Sequence, residues 1–171
     1  MYTIDYRSQE LKKINRKVLY LPVETTSREL EAKLYLASKA FLKGYQIIIG
    51  RKPYVKKIAE KIGGGFFLSK DTVKFKKSDF RLSEENMLFI ELHEEGLIRL
   101  NDEDIFDLYP KNLGDYHDLI FVWGEKQKRI ITNKFESSII NVYVTGNPRF
   151  DLLNEKISKK MYHSNFIESL K

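Results

Sequence analysis

The stretches of this chain with chemical potential each follow a short apolar run. Glu24, Thr25, Thr26 and Arg28 lie in "ETTSRE", Arg51 and Lys52 in "RKP", and Lys70 follows "GFFLS". Further on come "HEEG" with His93, Glu94 and Glu95, "WGE" with Trp123, and "TGNPRFD" with Gly146, Asn147, Arg149 and Asp151. Removing a proton from a hydroxyl needs a carboxylate or imidazole beside it, which makes Glu24, Glu94 and Glu95 the candidate bases. "HEEG" is equally readable as a solvated turn around Gly96. Arg28, Arg51, Lys52 and Arg149 suit anion recognition, with Thr25 and Thr26 in the same substrate-binding set. Thr26 and Glu29 also match a capping box at a helix start. Trp123 offers an indole face for stacking on a sugar, or simply covers a sheet edge. Gly146 allows a tight turn and Pro148 suits a first helical turn. Asp151 can pair with Arg149 or cap the turn, and the amides of that corner, with Asn147 and Arg149, can face an anion.

Other chemistries are excluded by residue type and context. The chain has no cysteine, which removes disulfides, thiolate zinc sites and cysteine nucleophiles. His93, His117 and His163 are not at ligand spacing, so no metal site is expected. "GGG" at Gly63 to Gly65 precedes a strand rather than joining strand to helix, and no GxGxxG follows the first strand, which argues against a standard NAD enzyme. The net charge of +6 favours acidic partners, but no basic run carries the interleaved aromatics of a single-strand groove, so nucleic acid is not an expected partner. No stretch approaches an apolar membrane span and the N-terminus lacks a signal-peptide core, so a cytosolic protein is expected.

The elements that must position these residues are legible in the hydrophobic pattern. Strand-length apolar runs occur at Val18 to Val23, Gln46 to Gly50, Gly65 to Ser69, Met87 to Leu92, Leu119 to Trp123 and Val142 to Thr145. Most are apolar on both parities, as strands are when both sheet faces are covered. Leu30, Leu34, Ala37 and Phe41 mark the inward face of a helix ending near Gly44. Further helices are expected from Pro53 to Ile62 and from Glu125 to Phe135, the latter turning Gln127, Ile130, Ile131 and Phe135 inward. Short pieces are expected at Lys74 to Glu85 and Glu103 to Tyr109. Alternating strands and helices predict an α/β, Rossmann-like three-layer sandwich with a mostly parallel sheet of about six strands. The expected organisation is an N-terminal extension over 1–16, the Rossmann-like domain over 17–153, and a C-terminal helix or linker over 154–171 with a weak stripe of Ile157, Met161 and Phe166.

The blocks "LYLPVETTSREL", "GYQIIIGRK", "EEGL", "FVWGEKQ" and above all "VTGNPRFDLL" together resemble the surface carbohydrate (surface polysaccharide) biosynthesis protein family, in that family's order from Lys17 to near Tyr162. Corners of the last type also occur in CDP-glycerol glycerophosphotransferases, 3-deoxy-octulosonate transferases and sugar 2-epimerases. The resemblance implies the N-terminal, acceptor-side half of a GT-B glycosyltransferase-like architecture, with the final corner leading to an interdomain cleft. It implies a sugar or lipid-linked glycan as acceptor. It also implies a second domain or partner chain to bind the nucleotide-sugar donor, because family members continue beyond the length seen here, and no cofactor of its own. Turnover by this chain alone is not expected. Two alternatives share these features: a nucleotide-sugar epimerase-like domain, and a non-catalytic module of a membrane-associated glycan complex that rests on anionic lipid at the inner face of the cytoplasmic membrane.

Overall fold

A computed structural model describes residues 17–70, 76–80, 87–93, 109–135 and 140–162. The strands are β1 (Val18–Val23), β2 (Gln46–Arg51), β3 (Gly65–Ser69), β4 (Met87–Leu92), β5 (Leu119–Val122) and β6 (Asn141–Val144). They form one six-stranded sheet in the order β2-β1-β3-β4-β5-β6, and every pairing is parallel. The α-helices are α1 (Thr26–Phe41), α2 (Lys52–Ile62), α3 (Glu125–Lys134), α4 (Pro148–Asp151) and α5 (Glu155–Met161). This is the α/β sandwich that the run pattern predicts. The strand limits agree with the apolar runs to within a residue.

Alternate strand residues feed the two faces, as the pleat requires. Val18, Tyr20, Phe67 and Phe89 pack under Val55 and Ala59 of α2, while Ile120, Val122 and Val142 pack under Ile130 and Ile131 of α3. Leu19, Leu21, Leu68, Ile90 and Leu119 point the other way, toward Leu36, Ala37 and Ala40 of α1. β1 is buried along its whole length, whereas β2, at the edge, is not.

The α1 face differs from its sequence expectation. Ala37 is inward, but Leu34 and Phe41 are 44% and 67% exposed, and the buried positions are Glu29, Ala32, Lys33 and Ala37. Small residues let the helix sit close to the sheet, and the buried ionic pair at its start rotates the inward stripe away from the larger apolar side chains. The α3 expectation holds at Gln127, Ile130, Ile131 and Phe135, all buried. The triple glycine ends α2 in left-handed backbone, with φ of 66°, 62° and 86°, and Tyr20 donates its hydroxyl to Gly63 O at 3.0 Å. A Cβ on Gly65 would meet Val18 O at 2.4 Å, so only glycine lets β3 enter the sheet here. Of the short pieces expected around Lys74 to Glu85, a 3-10 turn is seen at Lys77–Asp79. Most of that segment, and all but Tyr109 of the Glu103 to Tyr109 segment, lies outside the described residues.

Candidate functional site

In an open parallel sheet, ligands meet the carboxyl ends of the strands where the strand order reverses. Here β1 connects outward to β2 while β3 lies on its other side, so the reversal falls between β1 and β3. Glu24 follows β1 and Lys70 follows β3, and Lys52 opens α2 after β2. These residues converge. Glu24 Oε1 accepts from Lys52 Nζ at 2.7 Å, and its Oε2 lies 3.1 Å from Lys70 Nζ. Lys70 reaches Glu29 Oε1 at 2.7 Å, and Lys33 reaches Glu29 Oε2 at 2.7 Å. Lys33 also donates to Pro22 O.

Glu29 is the anchor of this cluster. Thr25, not Thr26, is the N-cap of α1, and its side chain makes no cap hydrogen bond. The predicted capping box is thus half present: the Glu29 carboxylate reaches back to the backbone N–H of Glu24 at 3.1 Å and of Thr25 at 3.0 Å. Burial would push the Glu29 carboxyl up, but hydrogen bonds from Lys33, Lys70 and these two amides outweigh it and hold its pKa at about 2. Burial pulls Lys70 down, and the carboxylates of Glu29 and Glu24 more than reverse this, leaving it raised. Both groups are charged at neutral pH.

A second constellation lies at the ends of β4, β5 and β6. Asn147 is buried and caps α4, its Oδ1 accepting from Arg149 N at 3.0 Å. Asn147 Nδ2 donates to His93 O at 3.5 Å, and the Trp123 indole N–H donates to the same carbonyl. The Trp123 ring meets Phe150 edge-on at 5.0 Å between centroids. Trp123 N–H donates to Gln127 Oε1 at 3.0 Å, and Gln127 Nε2 to the Tyr109 hydroxyl at 3.1 Å. Gly146 has φ of 73°, and Pro148 starts the helix as expected. Asp151 is exposed at the end of α4, and the local cap is Asn147. In the core below this corner, Glu91 and His117 lie 3.6 Å apart. Burial, then the Glu91 charge, pushes the Tyr109 hydroxyl up against the hydrogen bond from Gln127.

The sequence candidates therefore divide into two groups. Glu24 and Lys52 are brought into direct contact, and Thr25, Thr26 and Arg28 stand exposed at the start of α1, with Arg51 exposed beside Lys52. Trp123 and Asn147 share His93 O, and Gly146 and Arg149 flank Asn147. The first group follows β1 and β2 and the second follows β5 and β6, and the two sides meet where α1 contacts α4. Glu94 and Glu95 lie outside the described residues. Glu29 and Lys33 join the site without having been singled out for it by sequence, whereas Lys70, marked only as the residue after a strand run, gains a role. In sequence, Glu29 reads as part of a helix cap, and Lys70 has no motif around it.

On the α1 side, a cavity of about 550 Å³ runs over the sheet between Leu36 and Ala40 of α1 and Pro148 and Asp151 of α4, floored by Ile90 and Phe121. It is distinct in character from the charged cluster, being mostly apolar. Among the described residues, no group of three or more His, Asp or Glu is placed to hold a metal ion, and no helix is long and apolar enough to cross a membrane. No family model, curated protein or solved structure matches this chain.

Proposed function

We propose that this chain is the acceptor-side domain of a glycosyltransferase-like protein of surface polysaccharide biosynthesis. The observation that carries the reading is the ion-pair cluster of Glu24, Lys52 and Lys70 at the sheet's reversal point, the position where parallel sheets take their ligands. The sequence blocks from Lys17 to Tyr162 supply the family reading, and the "TGNPRFD" corner fits a rigid boundary toward a second domain.

In this reading the acceptor sits along the carboxyl rim. Lys52, Lys70, Arg28 and Arg51 hold its acidic groups, and Arg149 faces the donor half. Glu24 serves as base only after it leaves Lys52 and Lys70, since both of its oxygens are held by ammonium groups. Glu94 and Glu95 are the other two acids for that role. In the same reading the nucleotide-sugar donor is bound by a second domain or a partner chain.

The test is a ligand survey by NMR on the chain. Acceptor-type sugars and lipid-linked glycan analogues are expected to shift resonances around Glu24, Lys52 and Lys70, with nucleotide sugars leaving the spectrum unchanged. In a full-length relative, Gln at the positions of Glu24, Glu94 and Glu95 is expected to reduce transfer in at least one variant. Unchanged turnover in all three removes the catalytic assignment. Release of a free altered sugar without acceptor replaces the reading with an epimerase, and salt-sensitive binding to anionic vesicles without sugar affinity replaces it with a scaffold.

A further inference from the structure

The two edges of the sheet are built differently. Natural edge strands are blunted by shortness, charge, proline or a bulge, because their outer N–H and C=O groups can pair with another chain. β6 is short, at four residues. β2 has six, pairs with β1 residue for residue from Gln46 to Arg51 without a bulge, and carries Ile47, Ile48 and Ile49 in a row. It contains no proline, and its one charged residue, Arg51, is its last. Among the described residues β1 is its only strand neighbour.

The helices on the two faces of this edge, α1 and α2, both sit over β1 and β2. Lys56 of α2 lies over the ring of Phe80, which packs on Phe67 of β3 and Phe89 of β4. Tyr54 and Ile58 each stand two residues from Lys56, about 200° round the helix, so they occupy the flank toward β2. They are 60% and 39% exposed. On the other face, Leu36 of α1 lines the cavity with Leu68 of β3 and Ile90 of β4. Leu34 and Phe41 lie about 160° and 140° round the helix from Leu36, which puts these two exposed side chains on the β2 flank of α1. An open strand edge is thus bordered by apolar side chains in the layer above and in the layer below.

We propose that this chain forms a twofold dimer in which β2 pairs antiparallel with β2 of a second copy, α1 packing on its mate on one face of the joined sheet and α2 on its mate on the other. Symmetry selects this occupant. A twofold axis perpendicular to the sheet beside β2 keeps each helix on its own face, so it sets apolar flank against apolar flank in both helix layers while it joins the two edges. A single added strand covers β2 alone and leaves Leu34, Phe41, Tyr54 and Ile58 in water. Taking about 200 Å² for each of these large side chains, their exposed parts amount to roughly 400 Å² of apolar surface per copy. A stable interface needs at least about 600 Å² per partner, and the open edge of β2 with the polar side chains around it supplies the remainder. The rim at the strand ends stays open in this dimer, so the pairing is independent of the glycosyltransferase reading.

Sedimentation equilibrium on the wild-type chain and on the double variant Leu34→Glu/Ile58→Glu tests this. The wild type is expected to dimerise at micromolar concentration. In the variant, like charges meet across the axis in both helix layers, and dimerisation is expected to weaken at least about a hundredfold. A wild type that stays monomeric, or a dimer that survives in the double variant, overturns the proposal. Circular dichroism checks that the variant is folded. Should it fail to fold, hydrogen exchange on the wild type decides. The β2 amides are expected to gain protection as the concentration is raised through the monomer–dimer transition. Protection of β2 that is unchanged across that transition places the contact elsewhere, or a segment of the same chain on the edge, and refutes the β2-paired dimer.

Discussion

At the β1–β3 end of the rim, the side chains are charged, partly buried and held by one another: Glu24, Glu29, Lys33, Lys52 and Lys70. At the β4–β6 end the side chains that fix the corner are neutral and tied to backbone: Asn147 caps α4, and with Trp123 it converges on the carbonyl of His93. A buried ion pair is satisfied by opposite charge, and removing one partner leaves the other uncompensated. One end is thus organised by charge and the other by helix capping, and both stand at strand ends where parallel sheets take ligands.

The strongest test of that contrast is Glu29→Gln. It leaves Lys33 and Lys70 without their buried carboxylate, and urea unfolding is expected to show a loss on the order of 3–5 kcal/mol. Acid probes the same group without mutation. The Glu29 carboxyl is depressed in the folded state to about 2. Its contribution is therefore fully present above the unfolded value near 4.5 and is lost as pH falls toward about 2. A stability loss of roughly 2 kcal/mol across that window is expected in the wild type. It should be absent in Glu29→Gln, and an identical acid profile in the two proteins would show that the cluster is not organised by this charge.

At the other end, Asn147→Ala removes the cap of α4 and is expected to cost about 1 kcal/mol. That loss should be the same at pH 3 and pH 7, since no ionised group is involved; a pH-dependent loss would erase the distinction between the two ends. The smallest effect is expected for Arg149→Ala, which should stay within roughly 0.5 kcal/mol of wild type, as is usual for a partly exposed side chain outside a buried network. A larger loss on thermal or urea unfolding would make Arg149 a structural part of the corner rather than a residue available to a ligand.

Much of this arrangement is legible in the chain itself. Runs apolar on both parities, such as "VLYLPV" and "MLFIEL", state that both sheet faces are covered, and β1 and β4 match them residue for residue. The corner at Gly146 to Pro148 is equally local, because a positive φ and a first-turn proline are properties of the residues present. The hydrophobic pattern puts Leu34 and Phe41 on the inward face of α1 because they outweigh alanines there, and the structure leaves both exposed. What decides orientation is the pull of the buried Glu29–Lys33 pair and the close approach that Ala32, Ala37 and Ala40 permit.

Strand order is what the sequence by itself left open. Every crossover from β1 onward satisfies the same local pattern whichever neighbour a strand selects, so the pattern alone does not say that β3 inserts beside β1. The tertiary structure makes that choice, and with it carries Lys70 across 41 residues to Glu29 and into contact with Glu24. Element identity follows from the polarity and backbone preferences of adjacent residues. The site follows from which distant strand ends become neighbours, a consequence of packing the whole sheet.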